Sequence, residues 1–71
     1  MVKVGGIYEH QNGHRYEVVA IAKHSETLED MVVYRPLYKS DEFPDVKLWA
    51  RPLALWESPR NGRRRFKLID N

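Results

Sequence analysis

Cysteine is absent from all 71 residues, which removes disulfide staples and thiolate zinc sites from the devices that stabilise very short chains. No apolar run approaches the roughly 18 residues that span a bilayer, so no membrane partner is expected. Met1 to Gly6 lacks the apolar stretch of a secretory signal, and together with the missing cysteine this points to a cytoplasmic protein. Sustained helical periodicity, internal repeats, low-complexity tracts and linkers are missing too. A chain of this length buries only about 60% of its extended surface. We therefore expect one domain spanning residues 1–71, with one small core that has to suffice alone.

Net charge is small, +2 with neutral histidine, but it is unevenly spread. Beyond Ser58, Arg60, Arg63, Arg64, Arg65 and Lys67 face Asp70 alone. Between His24 and Val46, the acids Glu26, Glu29, Asp30, Asp41, Glu42 and Asp45 outnumber Arg35 and Lys39. The pattern implies one acidic and one basic region, and it argues against a uniformly basic nucleic-acid-binding surface.

What is present reads as strands and turns. Asn12-Gly13 and Asn61-Gly62 are hairpin dipeptides, because both residue types tolerate the positive φ of a two-residue turn. The first would pair His10 with Arg15 and Glu9 with Tyr16. The second would pair Arg60 with Arg63, Ser58 with Arg65 and Glu57 with Phe66, with Pro59 shortening the ladder. Arg15–Lys23 is the longest strand candidate, with Tyr16, Val18, Ala20 and Ala22 on one face and Val19 and Ile21 on the other, as in a strand that bends across a small barrel. Met31–Leu37 and Leu48–Arg51 are further β-prone runs. Pro52 followed by Leu53-Ala54-Leu55-Trp56 allows one helical or 3₁₀ turn near 52–56, since proline suits the first turn of a helix. Lys39–Lys47 is polar, contains Pro44 and reads as an exposed loop. About five short antiparallel strands in so little chain predict an all-β, SH3-like barrel.

The combination Gly6-x-Tyr8-x-His10, Gly13-x-x-Tyr16-x-Val18, His24-Ser25-Glu26-Thr27-Leu28-Glu29, Val32-Val33-Tyr34-Arg35, Leu37-Tyr38 and Leu48-Trp49-x-Arg51-Pro52 resembles a small bacterial family catalogued as Domain of Unknown Function sixteen fifty-three. The resemblance covers nearly the whole chain. It implies an SH3-type barrel in a cytoplasmic bacterial protein and no assigned reaction. Two features depart from the family pattern: Lys39–Lys47 is longer than the usual link, and Trp56 stands where a smaller aromatic is expected.

Several constellations carry chemistry. His24, Glu26, Thr27 and Glu29 form an unusually polar block, and with Tyr34, Tyr38, Trp49 and Arg51 they supply the ingredients of a polar-aromatic surface for a peptide, protein or small ligand. The leading expectation is a non-enzymatic binding module using these eight residues. A first alternative has Arg60, Arg63 and Arg65 straddling a nucleic-acid backbone, with Phe66 offering a stacking face. A second makes Glu26 and Glu29 a carboxylate pair with His24 as proton carrier. No cofactor is implied. His10, His14 and His24 do not predict a metal site, since in a two-residue hairpin His10 and His14 project to opposite sides of the ribbon.

Overall fold

A computed structural model describes residues 2–70. Five antiparallel strands form one sheet: β1 (Ile7–His10), β2 (Arg15–Lys23), β3 (Asp30–Pro36), β4 (Trp49–Pro52) and β5 (Phe66–Asp70). A short helix, α1 (Leu53–Glu57), connects β4 to β5. The strand order is β4-β3-β2-β1-β5. This is the SH3-like meander, in which the last strand returns to lie beside the first, and α1 bridges the two edge strands. No helix among the described residues is long and apolar enough to cross a membrane.

The expected helical turn is present, with Pro52 as the residue that enters it. Ser58 closes the far end, its hydroxyl donating to the Leu55 carbonyl at 3.0 Å. The helix is too short to persist alone. Its purpose is to seat Trp56, which is 3% exposed, over the sheet.

Cross-strand partners project to the same face of a sheet, so the inner face follows from the register. Tyr8 opposes Tyr16, Val18 opposes Tyr34, and Trp49 opposes Tyr34 from the other side. Val18 and Val32 are fully buried, and with Tyr8, Tyr16, Tyr34, Trp56 and Phe66 they make the core. Five of these seven core residues are aromatic. Ring packing therefore does much of what a larger aliphatic core does elsewhere, each ring burying on the order of 150–250 Å². Trp56 and Phe66 lie parallel with centroids 3.7 Å apart, and Tyr34 meets Trp56 edge-on at 4.9 Å.

Two details of register differ from expectation. The first hairpin has a three-residue connection, because His10 N donates to His14 O at 2.8 Å and Glu9, not His10, opposes Arg15. Only Gly13 in that turn has positive φ, +93°, so the turn is not the two-residue type in which both central residues are left-handed. His10 and His14 consequently share a side of the ribbon. The second difference is a bulge in β2: Val18 faces Tyr34 while Ala20 faces Val33, leaving Val19 as the extra residue. Past the bulge the alternation inverts, and Ile21 rather than Ala20 opposes the buried Val32. That is why β2 shows apolar residues on both sides in sequence.

The Asn61-Gly62 turn forms as expected, with both residues left-handed (φ 54° and 73°) and Arg60 paired with Arg63. Its ladder stops there. Ser58 and Glu57 do not continue it, because Phe66 pairs with His10 across the β1–β5 ladder instead.

Candidate functional site

A chain of rings leads from the core to the surface. Tyr16 meets Tyr34 edge-on at 5.2 Å, the Tyr16 and Tyr38 hydroxyls are 3.0 Å apart, and the His14 ring stacks on Tyr38 at 3.8 Å. Burial raises the pKa of Tyr16 far above that of an ordinary phenol, and the Tyr38 hydroxyl adds to the rise. Burial also raises Tyr34, against the opposing pull of the nearby Arg51 guanidinium. Both phenols stay neutral at physiological pH, so this chain of rings is an uncharged, rigid support.

Tyr38 opens onto a groove of about 640 Å³ between the end of β3 and the 37–48 connection. The apolar wall comes from Leu37, Phe43 and Leu48, all exposed, with Pro36 and Pro44. Arg35, Lys39 and Lys47 rim it. Phe43 is held by an edge contact to Trp49 at 5.5 Å, and its N–H donates to the Ser40 hydroxyl at 3.0 Å. Arg35 is committed to Glu17, its Nε donating to a carboxylate oxygen at 2.6 Å. The Lys39–Lys47 loop, expected from its proline and polar residues, is thus exposed but organised around Phe43. Sequence reasoning did not place Leu37, Phe43 or Leu48 in any site. The signal available was three large apolar residues in and beside a polar loop.

Of the eight residues expected to share one surface, the structure brings four together. Tyr34 and Trp49 are cross-strand partners, Arg51 lies near Tyr34 with its guanidinium carbon 5.3 Å from the Phe66 ring centre, and Tyr38 joins them through Tyr16. The other four, His24, Glu26, Thr27 and Glu29, sit at the tip of the β2–β3 hairpin and bond to one another. His24 Nδ1 accepts the N–H groups of Glu26 and Thr27 at 3.1 and 3.3 Å, the role a capping aspartate or asparagine plays in a turn. The Thr27 hydroxyl donates to the Glu29 carboxylate at 3.0 Å. Leu28 takes the left-handed conformation (φ 63°) that closes the turn, and Lys23–Asp30 pair across its base at 2.8 Å.

At the opposite edge, β5 and the Asn61-Gly62 turn gather a cationic pole. Gln11 Nε2 donates toward the carbonyls of Arg60, Arg63 and Arg64 at 3.1–3.2 Å and so fixes the turn. His10 meets Phe66 edge-on at 4.8 Å, and its Nδ1 accepts the Asn12 N–H at 3.1 Å. Burial lowers the His10 pKa, and the charges of Arg51, Arg60 and Arg65 lower it further. Phe66 is 3% exposed and covered by Trp56, so it offers no free face for a nucleic-acid base. Among the described residues no three His, Asp or Glu side chains converge in a way that would hold a metal ion.

These features define a class: a five-stranded antiparallel SH3-like meander with an aromatic groove beside its longest connection. The particular family follows from comparison. Residues 6–68 match the family model described as Protein of unknown function (DUF1653), and the chain belongs to that family. It is similar to a solved structure described as the crystal structure of a protein belonging to this family from Bordetella bronchiseptica. The two are 27% identical over 93% of this chain and 86% of that one, with a TM-score of 0.82. No curated protein matches the chain. Trp56, expected to be a smaller aromatic, stacks parallel on Phe66 in the core.

Proposed function

We propose that this chain is a non-enzymatic binding module that holds an extended peptide segment in the groove between β3 and the 37–48 connection. The observation that carries the reading is the groove itself. A 71-residue protein leaves Leu37, Phe43 and Leu48 exposed around a half-buried tyrosine whose ring is braced by His14 and Tyr16. Rigid aromatic surface flanked by apolar side chains and cations is what recognises short peptides with little loss of conformational freedom. Tyr38 is the anchor in this reading, and Trp49 braces the Phe43 wall of the groove through its edge contact. Tyr34 supports them from the core, and Arg51 packs inward. His24, Glu26, Thr27 and Glu29 hold the hairpin tip in shape, at the end of β3 away from the groove.

An enzymatic use of His24 with Glu26 and Glu29 has weaker support. Its imidazole Nδ1 is taken by two backbone donors, and residues 25–29 lie exposed at a hairpin tip rather than in a concavity. A cytoplasmic setting fits the cysteine-free composition.

The test is selection of the protein against a displayed library of random peptides, followed by amide chemical-shift mapping with an enriched sequence. Shifts confined to residues 37–48 and Trp49 support the proposal. Shifts confined to His24–Glu29, or no enrichment, count against it.

A further inference from the structure

The groove does not end at Tyr38. A second concavity of about 380 Å³ adjoins it and shares Tyr38, Lys39, Ser40 and Phe43 with it, while Asn12 and His14 of the first hairpin turn complete the lining. The two hollows differ in charge. Asp41 and Glu42 line only the second, Lys47 lines only the first, and Lys39 stands at the boundary. Arg35, the other cation of the first, is neutralised by Glu17. Elsewhere on the surface opposite charges that come close do pair, Lys23 with Asp30 and Arg15 with Glu9. Asp41, Glu42 and Lys47 are all exposed within one loop, yet none makes an ion pair with a described residue. Phe43, which lines both hollows, stands between the acids and Lys47 along the chain. Its backbone is tied on both sides, by the bond to the Ser40 hydroxyl and by the Val46 N–H donating to the Phe43 carbonyl at 3.3 Å.

A surface with an apolar-aromatic centre and opposite charges on its two sides is complementary to a chain that carries the reverse order of charge. Because the hollows join across Tyr38, a chain can pass through both instead of stopping at the anchor. We propose that the occupant is an internal peptide segment of bipolar charge: an apolar residue over Tyr38, an aspartate or glutamate on the side of Lys47, and an arginine or lysine on the side of Asp41 and Glu42. This rests on the peptide-groove reading and adds the side chains that flank the anchor. A segment with the opposite order meets like charge on both sides, so repulsion as well as attraction selects the partner.

The experiment runs the displayed-library selection in parallel on the wild type, on Lys47→Glu, and on the double variant Asp41→Lys with Glu42→Lys. The wild type is expected to enrich peptides with an acidic and a basic residue on opposite sides of a central apolar one. Lys47→Glu should exchange the acid for a base, and the double variant the base for an acid. With one wild-type peptide, each reversal should lower affinity about fivefold, the matching reversal in the peptide should restore it, and both effects should shrink in about 0.5 M sodium chloride. Exchanging the peptide's acidic and basic residues on the wild-type protein makes the same test without any protein variant. Amidating the C-terminus of the peptide should leave affinity unchanged. Peptides that shift Tyr38 and its neighbours but show no charge order, or lose nothing on either reversal, would overturn the inference and leave the groove reading standing. A loss on amidation would replace the internal segment with a chain end, and concentration-dependent shifts at these residues without peptide would replace it with a second copy of this chain. Either result overturns the proposal. No enrichment at all, or shifts confined to His24–Glu29, removes the groove reading and this inference together.

Discussion

Gln11 and Arg64 are 53 residues apart in sequence, yet the Gln11 side-chain amide donates to the Arg64 carbonyl at 3.1 Å and lies equally near the Arg60 carbonyl. With the Arg63 carbonyl at 3.2 Å, three acceptors share the two hydrogens of one amide. That amide is the tie between the first hairpin and the last, and it orients the arginine-rich turn relative to β1.

Loss of this tie has a measurable cost. Gln11→Ala is expected to destabilise the protein by about 1 kcal/mol, the net worth of an ordinary intramolecular hydrogen bond. Gln11→Glu places a carboxylate against three carbonyls and should cost about 2 kcal/mol. Urea unfolding followed by tryptophan fluorescence gives both values.

The His24 imidazole behaves as a turn cap, so His24→Ala should cost about 1 kcal/mol while His24→Asn recovers most of it, because an asparagine oxygen can accept the same N–H groups. Leu28→Gly at the left-handed position should leave stability unchanged or raise it by up to about 1 kcal/mol, relief of backbone strain offsetting the added freedom of the unfolded chain. Thermal denaturation of the three variants measures all three effects. A large loss in Leu28→Gly would mean that the exposed leucine packs against something.

Trp56 is the keystone of the ring core. Trp56→Ala removes both the parallel contact to Phe66 and the edge contacts to Tyr8 and Tyr34. About 3–5 kcal/mol is lost in such truncations, which approaches the whole stability of a small domain. The variant should be largely unfolded by near-ultraviolet circular dichroism. Trp56→Phe keeps a ring in the stack and should cost about 1–2 kcal/mol.

Stability should fall on acidification through His10. Its folded-state pKa lies below the ordinary histidine value of 6.5, from burial first and then from the charges of Arg51, Arg60 and Arg65. The unfolded chain therefore binds more protons once pH drops below about 6.5, and stability declines until pH passes the lower folded pKa. His10→Gln should flatten that limb of the Tm–pH curve. An equally steep limb in the variant would assign the effect to another group.

Much of this architecture is legible in the sequence, and the reasons differ by element. β2 has the same limits in the structure as in the apolar run, Arg15–Lys23, because bounding turns and β-branched residues leave no competing pattern. Asn61-Gly62 is legible because both residues adopt the local conformation their types favour. Asn12-Gly13 misleads by one residue, since whether Asn12 also turns left-handed depends on bonds between His10 and His14 that composition does not encode. The bulge at Val19 is likewise a tertiary demand, bending β2 so that its two halves present opposite parities.

The site was less legible than the fold. Tyr34, Trp49 and Arg51 meet because β3 and β4 are neighbours, which short-range spacing suggests. The His24–Glu29 block looks functional in sequence because its polar types are specific, but the same specificity is what a hairpin turn with a histidine cap requires. Gln11 gave no signal at all: its partners lie about 50 residues away and are backbone carbonyls, to which residue identity is blind.

The most direct test of the peptide-groove reading is the affinity of a library-selected peptide for Tyr38→Ala measured beside that for Glu26→Ala, with both variants shown to be folded. The account predicts a loss of about tenfold or more at Tyr38, the braced anchor, and less than about twofold at Glu26. Unchanged affinity in Tyr38→Ala, or the larger loss at Glu26, would contradict it.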